Sequence, residues 1–251
     1  MQRLDSTLAA SELTSTQGPS QWLRCFQPVS AWFRRRRFAR ILRQEPELLS
    51  KRILDVGGSV HFWQEAGVDL QSHDITIINI AADAQSADKS GQVRAAAIVI
   101  YDGSTISWPD HHFDWVISNS VIEHVPPANR DRFSSEIQRV GRRYLVQTPA
   151  YMFPIEPHFV MPFLHWLPRN VGRCIAGLGL WGLLRRRTRA EIDHYFDEVQ
   201  LLTLKEFRSF FPGAHLTVER VAGLPKSYTL TNDRGGAANR SEPVSASGER
   251  R

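Results

Sequence analysis

The stretch Arg52-Ile-Leu-Asp-Val-Gly-Gly58 decides the fold. Arg52 to Val56 reads as a buried strand, Gly57 and Gly58 allow a tight backbone turn, and a short helix follows near His61 to Ala66. Beyond it the same rhythm returns. Ile75 to Ile80 (ITIINI), Ala95 to Tyr101 (AAAIVIY), Phe113 to Ser118 (FDWVIS) and Arg143 to Gln147 (RYLVQ) are further β-rich runs, with a polar-periodic helix over Ala128 to Val140. Continuous apolar strands separated by helices predict a parallel sheet covered on both faces, and right-handed crossovers make it a doubly wound α/β sandwich. Thr203-Leu-Lys-Glu206 is a capping box that opens a helix carrying Phe207, Phe210 and Phe211, which stops at Pro212-Gly213. Two closing strands, His215 to Val221 and Ser227 to Leu230, form a hairpin through Gly223-Leu-Pro225.

With 251 residues, 42% hydrophobic and 23% charged, the chain has a globular composition, which excludes a collagen-like, wholly disordered or disulfide-scaffold protein. The two cysteines, Cys25 and Cys174, lack metal-type spacing. A net charge of +5 suits an acidic partner without naming one. Met1 to Ser20 has no apolar signal core. The longest uncharged apolar run, Cys174 to Leu184, makes a helix of only ~16 Å against the ~30 Å of a bilayer core. A cytoplasmic protein without a membrane span is therefore expected. Residues 1–20 and 231–251 hold too few large apolar side chains to offset their ordering entropy, and both are expected to be disordered. The domain then covers 21–230, and 150–203 is its one long departure from the strand–helix rhythm.

In an open sheet of this kind, ligands sit beyond the carboxyl ends of the strands, where the strand order reverses. The Gly57-Gly58 turn lacks the third glycine of a dinucleotide loop, and no G-x-x-x-x-G-K-[ST] occurs for nucleotide phosphates. Two later motifs sharpen the reading: Tyr101-Asp102-Gly103 after strand three, and FDWVISNSVIEHV at 113–125 through strand four. Together with LDVGG at 54–58 and the closing pattern at 201–228, they give a chain that resembles the class I S-adenosylmethionine-dependent methyltransferases over residues 40–230. The branch it looks most like acts on small molecules, lipids or sugars. The resemblance implies a Rossmann-like, doubly wound, mostly parallel seven-stranded sheet with a C-terminal antiparallel hairpin and a helical insertion after strand five. It implies S-adenosyl-L-methionine as cofactor, with Asp55, Gly57 and Gly58 framing the methionine part, Asp102 and Gly103 at the adenine, and Asn119 facing the methyl. An acid at the end of strand two normally accepts both ribose hydroxyls. Here Asn79 stands at that place, with Asp83 beyond it, and Ser59 replaces a further glycine of the first turn. Asp114, at the entrance of strand four, reads as structural.

Methyl transfer from a sulfonium needs an aligned nucleophile and often a base, for which histidine is the usual candidate. After strand five comes Thr148-Pro-Ala-Tyr-Met-Phe-Pro-Ile-Glu-Pro-His158. Related methyltransferases of polysaccharide and glycolipid clusters carry a similar P-x-x-x-F-P-x-E-P-H stretch. This makes His158 the candidate base or substrate clamp, Glu156 its orienting group and His124 a third candidate. The structural rivals are that Glu156 binds backbone amides, that His158 caps a helix, and that Glu123-His124 only starts one. Some ubiquinone-type O-methyltransferases carry E-x-x-E-H after strand four and bind a divalent ion with it. Ser120 stands in place of the first carboxylate here, so no metal is expected. Ser118-Asn-Ser-Val121 also differs from the N/D-P-P-Y/F tetrapeptide of nucleobase amine methylation. An oxygen of a small, sugar or isoprenoid-lipid acceptor is the expected target. Arg34 to Arg37 follow Trp22, Phe26, Trp32 and Phe33, and Arg185 to Arg187 follow an apolar run. Such clusters suit either peripheral contact with an anionic membrane surface or a cap and a solvated basic face. Nucleic acid is not expected, because no stacking module accompanies them. Two alternatives stay open: a methyltransferase-like binding protein without catalysis, and a basic membrane-surface adaptor. None of these features encodes the oligomeric state.

Overall fold

The short apolar runs become strands β1 (Ile53–Val56), β2 (Ile75–Asn79), β3 (Ile98–Ile100), β4 (Phe113–Asn119) and β5 (Gly141–Pro149), all parallel where they pair. A separate small hairpin follows, β6 (Ile155–Glu156) with β7 (Met161–Pro162), and then β8 (His215–Val221) and β9 (Leu224–Thr231) close the main sheet antiparallel. The computed structural model describes residues 23–79, 98–100, 105–179 and 188–232. Expectations for 1–20, Asp83, Asp102, Gly103, 185–187 and 233–251 lie outside these described residues. Among them the main sheet has seven strands in the order β3-β2-β1-β4-β5-β9-β8, the Rossmann-like arrangement expected.

Strict alternation within buried strands sends side chains to two cores. Leu54, Val56, Ile78, Val116 and Val146 face one side, and Ile53, Ile75, Ile77, Trp115, Ile117 and Leu145 face the other. The helices are α1 (Leu23–Gln44), α2 (Val60–Glu65), α3 (Arg130–Val140), α4 (Arg169–Ile175), α5 (Arg189–Glu198) and α6 (Leu204–Phe210). The first face is covered by α3 and α6 through Phe133, Ile137 and Phe207, the second by α1 and α2 through Phe38, Val60 and Trp63. Each such fully buried apolar side chain contributes roughly 1.5–3 kcal/mol.

Three expectations shift in detail. The helix after β4 begins at Arg130, because a 3-10 turn over Pro127–Asn129 precedes it. The final hairpin turns on Ala222 and Gly223, both at positive φ (+49° and +80°), the requirement of a two-residue primed turn. Pro225 therefore lies inside β9, paired with Arg220 where the register with β8 shifts. The insertion is not purely helical: besides α4 and α5 it contains the β6–β7 hairpin. Its own small core is Phe159, Leu164, Ala176 and Ile192.

Candidate active site

The chain leaves β1 for β2 and β3 on one side and returns to β4 on the other, so the strand order reverses between β1 and β4. A crevice opens there by topology alone. Gly57 turns out of β1 at φ +74°, its N–H donating to the carbonyl of Ile78 at 2.8 Å. A Cβ on Gly57 would stand 2.6 Å from the Val121 side chain, and one on Gly58 would stand 1.7 Å from the Asp55 carboxylate. Only glycine fits at either place. Ser59, the residue standing where another glycine is usual, is the N-cap of α2 and accepts from the Phe62 N–H at 3.3 Å.

Asp55 is buried, and Trp63 donates its indole Nε1–H to Oδ2 at 2.7 Å. Burial pushes its carboxyl up to about 7, against the opposing pull of the indole bond. Asn79 ends β2 and donates from Nδ2 to the carbonyl of Gly58 at 3.1 Å. It thus ties strand two to the glycine turn, at the place where a ribose contact was expected. Asp55, Gly57, Gly58 and Asn119 line one cavity of about 220 Å³, rimmed by Arg34 and Glu65. The glycine cradle on its floor fits a ligand whose chain passes close to backbone. Asp114 lies outside it as expected, accepting from the Arg52 N–H at 3.1 Å. A larger cavity, about 350 Å³ between α1 and the β5–β9–β8 face, is lined by none of the expected site residues.

Arg37 escaped the sequence reading, which placed it in a basic run. Its side chain is only 12% exposed, and its Nη1 donates to Asn119 Oδ1 at 2.6 Å and to Gln147 Oε1 at 2.8 Å, while Nη2 pairs with Glu219 at 3.1 Å. Burial holds its pKa below the ordinary value against the pull of Glu219. The available signal was position: Arg37 precedes Phe38 and stands four residues before Ile41, on the face α1 packs inward. Arg34 pairs with Glu65 at 2.7 Å, so only Arg35 and Arg36 of the run are exposed. Ser120, at φ +58°, is held in this left-handed conformation by two bonds to Gln147, N–H to its carbonyl at 2.9 Å and Oγ to Oε1 at 3.0 Å.

A second group gathers beside the carboxyl ends of β4 and β5. His158 sits in the four-residue loop between β6 and β7, where Val160 is forced to φ +51°. Its Nδ1 lies 2.6 Å from Glu156 Oε1, while Glu156 Oε2 accepts from the Phe159 N–H at 2.6 Å. Glu156 therefore orients His158 and binds a backbone amide at once, and His158 caps no helix. The His124 ring packs edge-on against His158 at 5.0 Å, with Tyr195 of α5 at 6.4 and 6.1 Å from the two rings. Glu123-His124 starts no helix; both lie in a turn. Glu123 is fully buried and accepts from Thr148 Oγ1 at 3.0 Å through Oε2. Burial raises the Glu123 pKa, and burial with the neighbouring His158 lowers that of His124 to about 4. For His158, burial works downward, but Glu156 and Glu123 outweigh it and leave the imidazole above its ordinary value. The Gln200 N–H donates to the Glu123 carbonyl at 2.8 Å and pins the end of the insertion to this turn.

The strand order and glycine cradle define a Rossmann-like domain with a cavity at its reversal point. Residues 54–144, a little over a third of the chain, match the family described as methyltransferase domain. Among solved structures it is similar to a SAM-dependent methyltransferase of Archaeoglobus fulgidus, 13% identical over 79% of this chain and 93% of that one, TM-score 0.47. It is also similar to one from Mesorhizobium loti, at 11% over 76% and 94%, TM-score 0.47. A third is magnesium protoporphyrin IX methyltransferase of Synechocystis with bound SAH, at 14% over 86% and 88%, TM-score 0.48. No curated protein matches the chain. Among the described residues no helix is long and apolar enough to cross a membrane.

Proposed function

We propose that this protein is a class I methyltransferase that uses S-adenosyl-L-methionine and places its methyl group on an oxygen of a small, sugar or isoprenoid-lipid acceptor. The observation that supports it is the cluster of Glu123, His124, Glu156 and His158, joined to Asn119 by one short turn of chain. In the transfer an oxygen lone pair forms the O–CH3 bond while the S–CH3 bond breaks and its electron pair goes to sulfur. A hydroxyl must also shed its proton, so the acceptor oxygen needs polar groups that hold it and assist that loss. The cluster supplies such groups beside the carboxyl ends of β4 and β5. Contact with an anionic membrane surface, where a lipid-linked acceptor would be met, is supported by the exposed Trp32, Phe163 and Trp166 together with Arg35 and Arg36.

Methyl-labelled S-adenosylmethionine, supplied with panels of hydroxyl, carboxyl, amine and carbon acceptors, tests the reading. The expected product releases its label as methanol in alkali, as an ester does, or as methyl iodide in hydriodic acid, as an ether does. Label found on nitrogen or carbon overturns it.

A further inference from the structure

We propose that Glu123, His124 and His158 form a binding site for one divalent transition-metal ion of the zinc class, with a carboxylate oxygen and two imidazole nitrogens as its protein ligands. One ligand atom from each of the three residues lies within 4.8 Å of the other two. Ligands of a single zinc ion, each at ~2.0–2.2 Å, stand roughly 3.5 Å apart, so closing the set needs side-chain movements of about an ångström.

Three observations point to an ion. Glu123 Oε1 is buried without a hydrogen-bond partner, although Oε2 of the same carboxylate is bonded to Thr148. A buried carboxylate oxygen left unpartnered costs more than most contacts return, roughly 1–3 kcal/mol or more, so a missing cation is the natural complement. His158 gives its Nδ1 to Glu156, which leaves Nε2 for the cluster. Metal-bound imidazoles show this same carboxylate support on their second nitrogen. The His124 ring has no hydrogen bond among the described residues and packs edge-on against His158 and tilted against Tyr195.

The donor set selects the ion. Magnesium and calcium favour all-oxygen shells, whereas two imidazoles and one carboxylate suit zinc and its neighbours. The site is not the E-x-x-E-H arrangement, because Ser120, at the place of the first carboxylate, donates to Gln147. Its third ligand comes from the strained loop between β6 and β7 instead. Three protein ligands leave a coordination position open, the pattern of a catalytic site. Resting on the oxygen-acceptor reading above, that position takes the acceptor oxygen. The hydroxyl proton leaves to solvent, the oxygen lone pair then forms the bond to methyl as the S–CH3 pair returns to sulfur, and the ion keeps its charge.

The full chain, stripped with a chelator and dialysed, is titrated with Zn2+ against a chromophoric competitor and with Co2+ followed by its visible ligand-field absorption. One ion per chain is expected. Glu123→Gln, His124→Ala and His158→Ala should each weaken it 100-fold or more and abolish the Co2+ band. Glu156→Gln should weaken it about 10- to 100-fold, and the exposed His194→Ala should leave it unchanged. Glu123→Gln is nearly isosteric and removes a buried charge, so circular dichroism should show an intact fold. No stoichiometric ion, unchanged zinc affinity in Glu123→Gln, or magnesium binding as tight as zinc overturns the site. Ion binding with label on nitrogen or carbon keeps the site and removes the oxygen reading. Oxygen methylation unaffected by stripping keeps that reading and removes the ion from the acceptor.

Discussion

On the cofactor side of the cleft the chain works with backbone. Gly57 and Gly58 shape the floor, Asn79 and Ser59 brace it through hydrogen bonds to or from main-chain groups, and one buried carboxylate, Asp55, lies beneath. On the side proposed for the acceptor it works with side chains. Glu123 and His124 come from the turn after β4, Glu156 and His158 from the β6–β7 hairpin, and Tyr195 from α5. Backbone geometry is set by a few adjacent residues, so it is written in short windows of sequence. A side-chain cluster exists only once distant segments have packed, and the small core of Phe159, Leu164, Ala176 and Ile192 does that packing. The family match covers 54–144, which takes in the glycine turn together with Glu123 and His124 but stops before Glu156 and His158.

If the cofactor half is a backbone cradle, adding one methyl group should wreck it. Gly58→Ala would put its Cβ 1.7 Å from Asp55 Oδ2, a carboxylate already fixed by Trp63. The expected loss of S-adenosylhomocysteine affinity by calorimetry is at least 100-fold, about 2.7 kcal/mol. Binding within tenfold of the parent would break the contrast. Gly57→Ala should cost less and is separable into two parts. The left-handed backbone at φ +74° penalises any side chain by ~1–2 kcal/mol, and the 2.6 Å approach to Val121 adds a clash. In a double-mutant cycle, Val121→Ala should recover the clash but not the backbone strain, giving a coupling of about 1 kcal/mol in urea unfolding.

Much of the first half was legible. The LDVGG turn, the succession of strands and the hairpin follow from apolar runs punctuated by glycine, and the structure moves their limits by up to three residues. Ser59 and Asn79 were visible only as departures; that one caps α2 and the other ties β2 to Gly58 needs three dimensions. The second half was partly legible. Glu156 and His158 stand two residues apart on one loop, so their contact is nearly local. For Glu123-His124 a helix start stayed open beside a catalytic role, and nothing nearby announces Thr148 as the partner of Glu123. Arg37 was hidden among four arginines whose helical phase decides which one turns inward.

A smaller effect distinguishes the halves by charge. Asp55 titrates near 7 in the ligand-free protein. A cofactor bearing the methionine ammonium favours its ionised form, so affinity should rise with pH through about 7 and level off above, falling up to tenfold per pH unit below. The stability sign is opposite. The folded pKa lies above the unfolded value of about 3.9, so Asp55's contribution is full below that value and is lost as pH rises through about 7. Asp55→Asn should flatten both profiles. The other charged groups at the cavity are Arg34, Glu65 and His61, with His61 3.2 Å from Glu65, so His61→Gln is the control for their share.

The smallest expected effect compares two identical caps. Thr188 and Thr203 each accept from the amide of a glutamate three residues on at 3.3 Å, and that glutamate accepts the threonine N–H at 2.8 Å. The local chemistry is the same, so Thr→Ala should remove about 1 kcal/mol at either site. The mountings differ. Helix α6 anchors Phe207 in the main core, whereas α5 anchors Ile192 in the insertion's small cluster. Thr203→Ala should therefore lower the global melting temperature. Thr188→Ala should leave it nearly unchanged and instead speed amide exchange over 188–200, loosening Tyr195 from His124 and His158. Equal falls in melting temperature would mean that sheet and insertion unfold as one unit, and that the acceptor half borrows its rigidity from the same core as the cradle.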